Sequence, residues 1–172
     1  DYEGKKMRYE TAAKMLKKGG DYKLQNFALA KLAMLKANEA RQKRNYKHSQ
    51  KYYIEAAGRF LNFPSRKDVK KAGNALYLAG KYGDGKKYME LAGNMFEFVG
   101  EIKLTAKCAS FTGGKDNILK IAGLFEKDHQ FDKAAQFYLE AQEFDKVFQL
   151  IKTYALTSPT VSSVARLKAQ DL

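Results

Sequence analysis

Tryptophan is absent from this chain, and cysteine, proline and histidine nearly are: one Cys, two Pro and two His among 172 residues. The single thiol, Cys108, excludes an internal disulfide framework and suits a reducing compartment. With only Pro64 and Pro159 to interrupt it, little in the chain forbids helix. His48 and His129 each lack a second His or Cys at ligand spacing, so neither a metal site nor a cofactor is expected. Runs of alternating β-branched residues are missing, and with them the strand signal. No apolar run approaches the roughly 20 residues that cross a bilayer, so no membrane partner is expected. The first residue is Asp1 rather than Met, and no basic-then-apolar leader precedes the body. The expectation is a fragment of a larger intracellular protein, cytoplasmic or nuclear.

What is present favours helix. Ala, Leu, Lys and Glu are abundant, and a 45% hydrophobic content at this length supports one domain with a real core. The apolar spacing places ten helices near residues 5–18, 22–43, 46–62, 66–79, 84–98, 101–111, 116–127, 131–141, 144–155 and 161–170. Small pairs recur inside them, each followed by large apolar residues: Ala12-Ala13 by Met15 and Leu16, Ala56-Ala57 by Phe60, Ala72-Gly73 by Leu76 and Tyr77. Ala92-Gly93 and Ala122-Gly123 repeat the pattern, and the triplet Phe-Asp-Lys occurs at 131–133 and again at 144–146. Small residues mid-helix let a neighbouring helix approach, and large residues one turn later fill the gap. Phe131, Ala135 and Tyr138 form one such stripe, and Phe144, Val147, Phe148 and Ile151 another. Phe63-Pro64-Ser65 ends one helix and offers Ser65 as the N-cap of the next. Residues 1–156 read as a single domain, basic and less regular over 1–71 and clearer over 72–156. Residues 157–172 read as a loop and a weak terminal helix.

No catalytic constellation is visible. Gly113-Gly114-Lys115 lacks the spacing of a phosphate-binding loop and reads as a helix stop followed by a helix start. Cys108, in a helical stretch, reads as a small packing residue. Glu140 and Glu143 lie on a polar helix face. The expectation is therefore not an enzyme.

Charge is the strongest remaining signal. Residues 1–86 hold 21 Lys and Arg against 8 Asp and Glu, whereas residues 87–172 hold 11 of each. All of the net +13 therefore belongs to the first half. Arg41, Lys43, Arg44, Lys47 and Lys51 lie close together, interleaved with Tyr46, Tyr52 and Tyr53, and Arg66, Lys67, Lys70 and Lys71 follow. These nine cations are the candidate binding residues for an anionic partner. Cations beside aromatics can grip a nucleic-acid backbone and stack on bases. Tyr53 with Ala56, Ala57 and Phe60 also fits a core stripe, and lysines in such numbers also serve as solvated surface.

The window 118–151, ILKIAGLFEKDHQFDKAAQFYLEAQEFDKVFQLI, resembles tetratricopeptide repeats, with small residues mid-helix, an aromatic after them and an aromatic-led start to the next helix. The resemblance covers residues 72–151, with unit spacings of 13, 20 and 30 in place of a strict 34-residue repeat. It implies a right-handed α-solenoid of antiparallel helix hairpins with a concave face for a partner segment. The order of parts, AAKMLKKGGDYKLQNFALAKLAML before YYIEAAGRF and AGNALYLAGKY, is similar to helical tails of UvrD-like helicases carrying tetratricopeptide and ankyrin repeats. The combined expectation is an all-α protein–protein interaction scaffold whose basic half suits an acidic partner segment. The alternative is an accessory region of a helicase-type protein that binds RNA or single-stranded DNA.

Overall fold

A computed structural model of the chain describes residues 2–63, 65–83 and 85–156. Among these residues lie nine α-helices and no strand: α1 Tyr2–Lys18, α2 Tyr22–Gln42, α3 Tyr46–Phe60, α4 Arg66–Lys81, α5 Lys86–Phe98, α6 Ile102–Thr112, α7 Lys115–Lys127, α8 Phe131–Glu140 and α9 Phe144–Tyr154. The fold is thus all-α, and the helices fall within a few residues of their expected places. The tenth expected helix, 161–170, and the loop before it lie outside the described residues.

Local chemistry sets the helix starts. Asp21, Asn45 and Ser65 each accept a hydrogen bond from the backbone N–H three residues on, at 2.9, 3.3 and 3.2 Å. Ser65 is the N-cap that the Pro64 break predicts. Gly113 and Gly114, both at positive φ, separate α6 from α7, so this pair acts as stop and start.

Five helices, α1, α2, α5, α7 and α8, end in one hydrogen-bond pattern. The N–H of Asp21 returns to the carbonyl of Leu16 at 3.0 Å, and Asn45 to Ala40 at 2.8 Å. Glu101 returns to Phe96, Gln130 to Phe125 and Glu143 to Tyr138, at 2.8, 2.9 and 2.8 Å. In each case the residue before the donor takes positive φ: Gly20, Arg44, Gly100, His129 and Gln142. The residue after the donor opens the next helix with a large apolar or aromatic side chain: Tyr22, Tyr46, Ile102, Phe131 or Phe144. The repeated Phe-Asp-Lys triplets are the first turns of α8 and α9.

The helices group into two compact units that meet in the sequence between Glu101 and Ile102. In the first unit each helix packs against its sequence neighbour, α1 on α2, α2 on α3, α3 on α4 and α4 on α5. Cross-helix bonds fix the antiparallel sense. Tyr53 Oη donates to Asn38 Oδ1 at 2.6 Å near the start of the α2–α3 pairing, and Arg59 Nη1 to Asn26 Oδ1 at 3.2 Å near its end. Gln50 Nε2 reaches the Ala79 carbonyl at 3.3 Å, tying the start of α3 to the end of α4. Ser49, wholly buried, is satisfied by donating to the Ala37 carbonyl at 3.0 Å. Packing of α3 on α4 runs straight across residue 71, where the sequence changes in regularity.

In the second unit α6 packs on α7, α7 on α8 and α8 on α9 around Ile121, Ala122, Phe125, Ala134, Ala135, Tyr138, Val147 and Leu150. Both expected stripes contribute, with Phe131, Phe148 and Ile151 half-buried against this cluster. Phe125 and Phe137 lie parallel at 5.5 Å, and Tyr138 Oη donates to Glu126 Oε2 at 2.7 Å. Burial, then that bond, pushes the Tyr138 phenol up to about 12.

Two substitutions test these devices. Gln142 is exposed and holds a left-handed conformation that costs an L-residue roughly 1 kcal/mol, so Gln142→Gly should stabilise the second unit by about 0.5–1 kcal/mol in thermal unfolding. Gly80 faces α5 so closely that a Cβ there would lie 2.9 Å from Met89 Cγ and 3.0 Å from the Gly85 carbonyl. Gly80→Val should destabilise the first unit by roughly 1–3 kcal/mol through overpacking, and an unchanged melting temperature would refute the close approach.

Candidate binding surface of the basic unit

The nine candidate cations do not form one strip. Arg41, Lys43, Arg44, Lys47 and Lys51 surround the turn from α2 into α3, whereas Arg66, Lys67, Lys70 and Lys71 occupy the first turns of α4. Lys47 and Lys51 lie in the first half of α3, and its remaining nine residues, a rise of about 13 Å, separate Lys51 from the turn into α4.

Five of the nine have internal partners. The Arg41 guanidinium lies 5.2 Å from the Tyr82 ring centre and donates to its hydroxyl at 3.4 Å, which holds the Tyr82 phenol below its usual range. Tyr82 in turn lies parallel to Tyr46 at 6.1 Å. Lys43 pairs with Glu39 at 2.5 Å, and Lys70 pairs with Glu101. Lys71 pairs with Asp68 at 2.6 Å while its ammonium sits 4.7 Å from the Phe27 ring centre. Arg66 Nη2 reaches the Phe98 carbonyl at 3.4 Å. Arg44, Lys47, Lys51 and Lys67 are exposed and have no partner among the described residues. Of the interleaved aromatics, Tyr53 is wholly buried, Tyr52 is half-buried, and Tyr46 is exposed on its outer side.

One concavity at this end is a cleft of about 370 Å³ between α1, α2 and α3. Lys6 of α1, Lys36 and Lys43 of α2, and Tyr52 of α3 line it, with Glu39 as its acid. The hydrogen bond from Lys43 holds the Glu39 carboxyl below the usual carboxylate range. Glu3, 3.7 Å from the Lys6 ammonium, lies beside the same group, so two carboxylates stand among the three ammonium groups. Lys47, His48, Gln50, Lys51 and Ile54 of α3 border a second depression of about 520 Å³.

Lys6 and Lys36 are absent from the sequence-based candidates. Lys36, Glu39 and Lys43 stand at i, i+3 and i+7 on one helix, a spacing that could have revealed one face. Lys6 has no such signal, being thirty residues away from Lys36 in the chain and joined to the group only by packing. The arrangement suits gathering carboxylates or phosphates. Among the described residues no group of three or more His, Cys, Asp or Glu is placed to hold a metal. Cys108 is buried, which pushes its thiol up to about 11 and keeps it protonated at neutral pH.

The coupling of Glu39 to Lys43 has a direct readout. A carbon-detected NMR titration should place the Glu39 carboxyl midpoint below that of exposed glutamates, and Lys43→Ala should move it upward toward the ordinary value. An unchanged midpoint would break the link between the two groups.

Comparison with protein-family models finds no match, and neither curated proteins nor solved structures give one.

Proposed function

We propose that the chain is a non-catalytic interaction scaffold, a right-handed stack of tetratricopeptide-like helix pairs, whose basic unit takes an acidic segment of a partner protein. The observation that carries this reading is the cleft in which Lys6, Lys36 and Lys43 converge around Tyr52. Arg44, Lys47 and Lys51 extend the positive surface around the same turn. Neighbour-by-neighbour antiparallel packing and the recurring turn support the repeat assignment.

A protein ligand is preferred over a nucleic acid for three reasons. Single-strand binding uses free aromatic faces, yet Tyr53 is buried and Tyr46 is already stacked on Tyr82. Arg41, one of the two arginines that adjoin the cleft residues in sequence, is held on Tyr82. The candidate cations also fall into two groups, one at the α2–α3 turn and in the first half of α3, the other at the start of α4, rather than into one run along a helix. Lysines suit flexible, non-directional pairing with Asp and Glu side chains.

The test is fluorescence anisotropy with a labelled peptide rich in Asp and Glu and, separately, a labelled uridine oligonucleotide. The peptide should bind, with affinity falling as salt rises. Lys36→Glu with Lys43→Glu should weaken it about tenfold or more, since charge-assisted contacts contribute roughly 1.5–3 kcal/mol each. Arg41→Ala should leave peptide binding close to unchanged while lowering thermal stability. Tighter binding of the oligonucleotide than of the peptide would overturn the reading in favour of the nucleic-acid alternative.

A further inference from the structure

The opposite end of the first unit carries a different chemistry. Four large apolar side chains stand out into solvent there: Met15 at 69% exposure, Tyr22 at 64%, Leu24 at 53% and Leu61 at 46%. Met15 lies near the end of α1, Tyr22 and Leu24 in the first turn of α2, and Leu61 just beyond α3. The antiparallel pairing brings these helix ends together, as the contacts of Phe27 with Phe60 and Phe63, both at 6.1 Å, record.

Cations alternate with the apolar groups. Residues 14–24 read KMLKKGGDYKL, and Lys14, Lys17, Lys18 and Lys23 are all exposed with no partner among the described residues. The one acid of that segment, Asp21, is occupied in capping α2 through the Leu24 N–H. Glu55, toward the same end of α3, is paired with Arg59 at 3.0 Å. Nothing in α1 offsets the exposure, since Ala13 is its one buried residue among those described. The tip therefore presents protruding apolar side chains interleaved in sequence with exposed, uncommitted ammonium groups.

We propose that this α1–α2 tip docks on the surface of an anionic lipid membrane. Lysines at the rim would meet lipid phosphates and carboxylates while Met15, Tyr22, Leu24 and Leu61 enter the boundary between headgroups and acyl chains. Tyrosine suits that depth, with its ring in the apolar layer and its hydroxyl in the wet one. Side chains that protrude singly from helix ends, rather than lining a groove, fit a deformable lipid surface better than a shaped protein ligand. No described helix is long and apolar enough to cross a membrane, so the contact is peripheral. The sequence expectation of no membrane partner rests on the lack of a crossing segment and does not address surface docking.

The absence of tryptophan makes a clean reporter available. The intact chain carrying Leu24→Trp, and separately Tyr46→Trp at the other end of the unit, is mixed with phosphatidylcholine vesicles with and without phosphatidylserine. With phosphatidylserine present, Leu24→Trp emission should shift to the blue and be quenched by brominated acyl chains, and Tyr46→Trp should do neither. In co-sedimentation, Lys17→Ser with Lys18→Ser should weaken partitioning about tenfold or more, given the roughly fivefold contribution of each lysine near an anionic surface. Lys47→Glu with Lys51→Glu should reduce it far less. Circular dichroism confirms that the variants remain helical. The proposal is overturned if Leu24→Trp is not quenched, or if the chain sediments equally with vesicles of phosphatidylcholine alone. It is overturned as well if the Lys47 and Lys51 reversals abolish binding that the Lys17 and Lys18 variant keeps.

Discussion

Close approach of helix to helix is the constraint on which the rest of this structure depends. Seventeen of the 29 buried apolar residues among those described are alanines, so the contact faces are built mainly from methyl groups. Methyl-lined faces let helix axes come to the near end of the usual 8–10 Å range. They also bury little apolar area apiece, so the hydrophobic stabilisation is concentrated in a few large anchors: Tyr53, Phe60, Met89, Phe96, Phe125 and Tyr138. Gly80 is the limiting case, where the Gly85 backbone and the Met89 side chain leave no room even for a methyl group.

Such packing decides where charge can go. A helix held between two neighbours, as α2 is between α1 and α3, has little free flank, and its long polar side chains are directed to its ends and to narrow outer strips. Some cations then find internal work. Lys71 lies along the Phe27 and Phe60 rings, covering an aromatic edge with its alkyl stem while its ammonium meets Asp68. Others, placed at turns, find no partner. Net charge thus overstates the binding surface: Arg41, Arg66, Lys43, Lys70 and Lys71 contribute to the +13, yet each is engaged within the unit.

Much of this was legible in the sequence because much of it is local. The Ser65 cap, the Gly113-Gly114 stop, the stripe on α8 and the burial of Tyr53 all follow from spacings of a few residues, where one helix geometry leaves little choice. Positive φ at Arg44, His129 and Gln142 was not legible, since none of these residue types announces it as glycine does. The site was read less well than the fold. Arg41 and Tyr82 are 41 residues apart, and nothing in either neighbourhood says that one will stack on the other. The same holds for Lys6 and Lys36, brought to one cleft by the pairing of α1 with α2. Adjacency along the chain put both groups of cations on one candidate surface, although the second half of α3 lies between Lys51 and Arg66.

Glu39 explains how three lysines can share one cleft. Ammonium groups brought together repel, and without a counter-charge their side chains would swing into solvent and disperse the positive potential. A carboxylate among them, hydrogen-bonded to Lys43 and held below the usual carboxylate range by that bond, offsets part of that repulsion and keeps the lysines converging. Neutralisation is incomplete, because Glu39 and Glu3 offset two of the three positive charges. An incoming carboxylate would therefore meet a site already arranged around a group of its own kind, with positive charge still uncompensated. On the proposed reading that residual charge is what would favour an acidic ligand, and the internal carboxylate is what holds the lysines together.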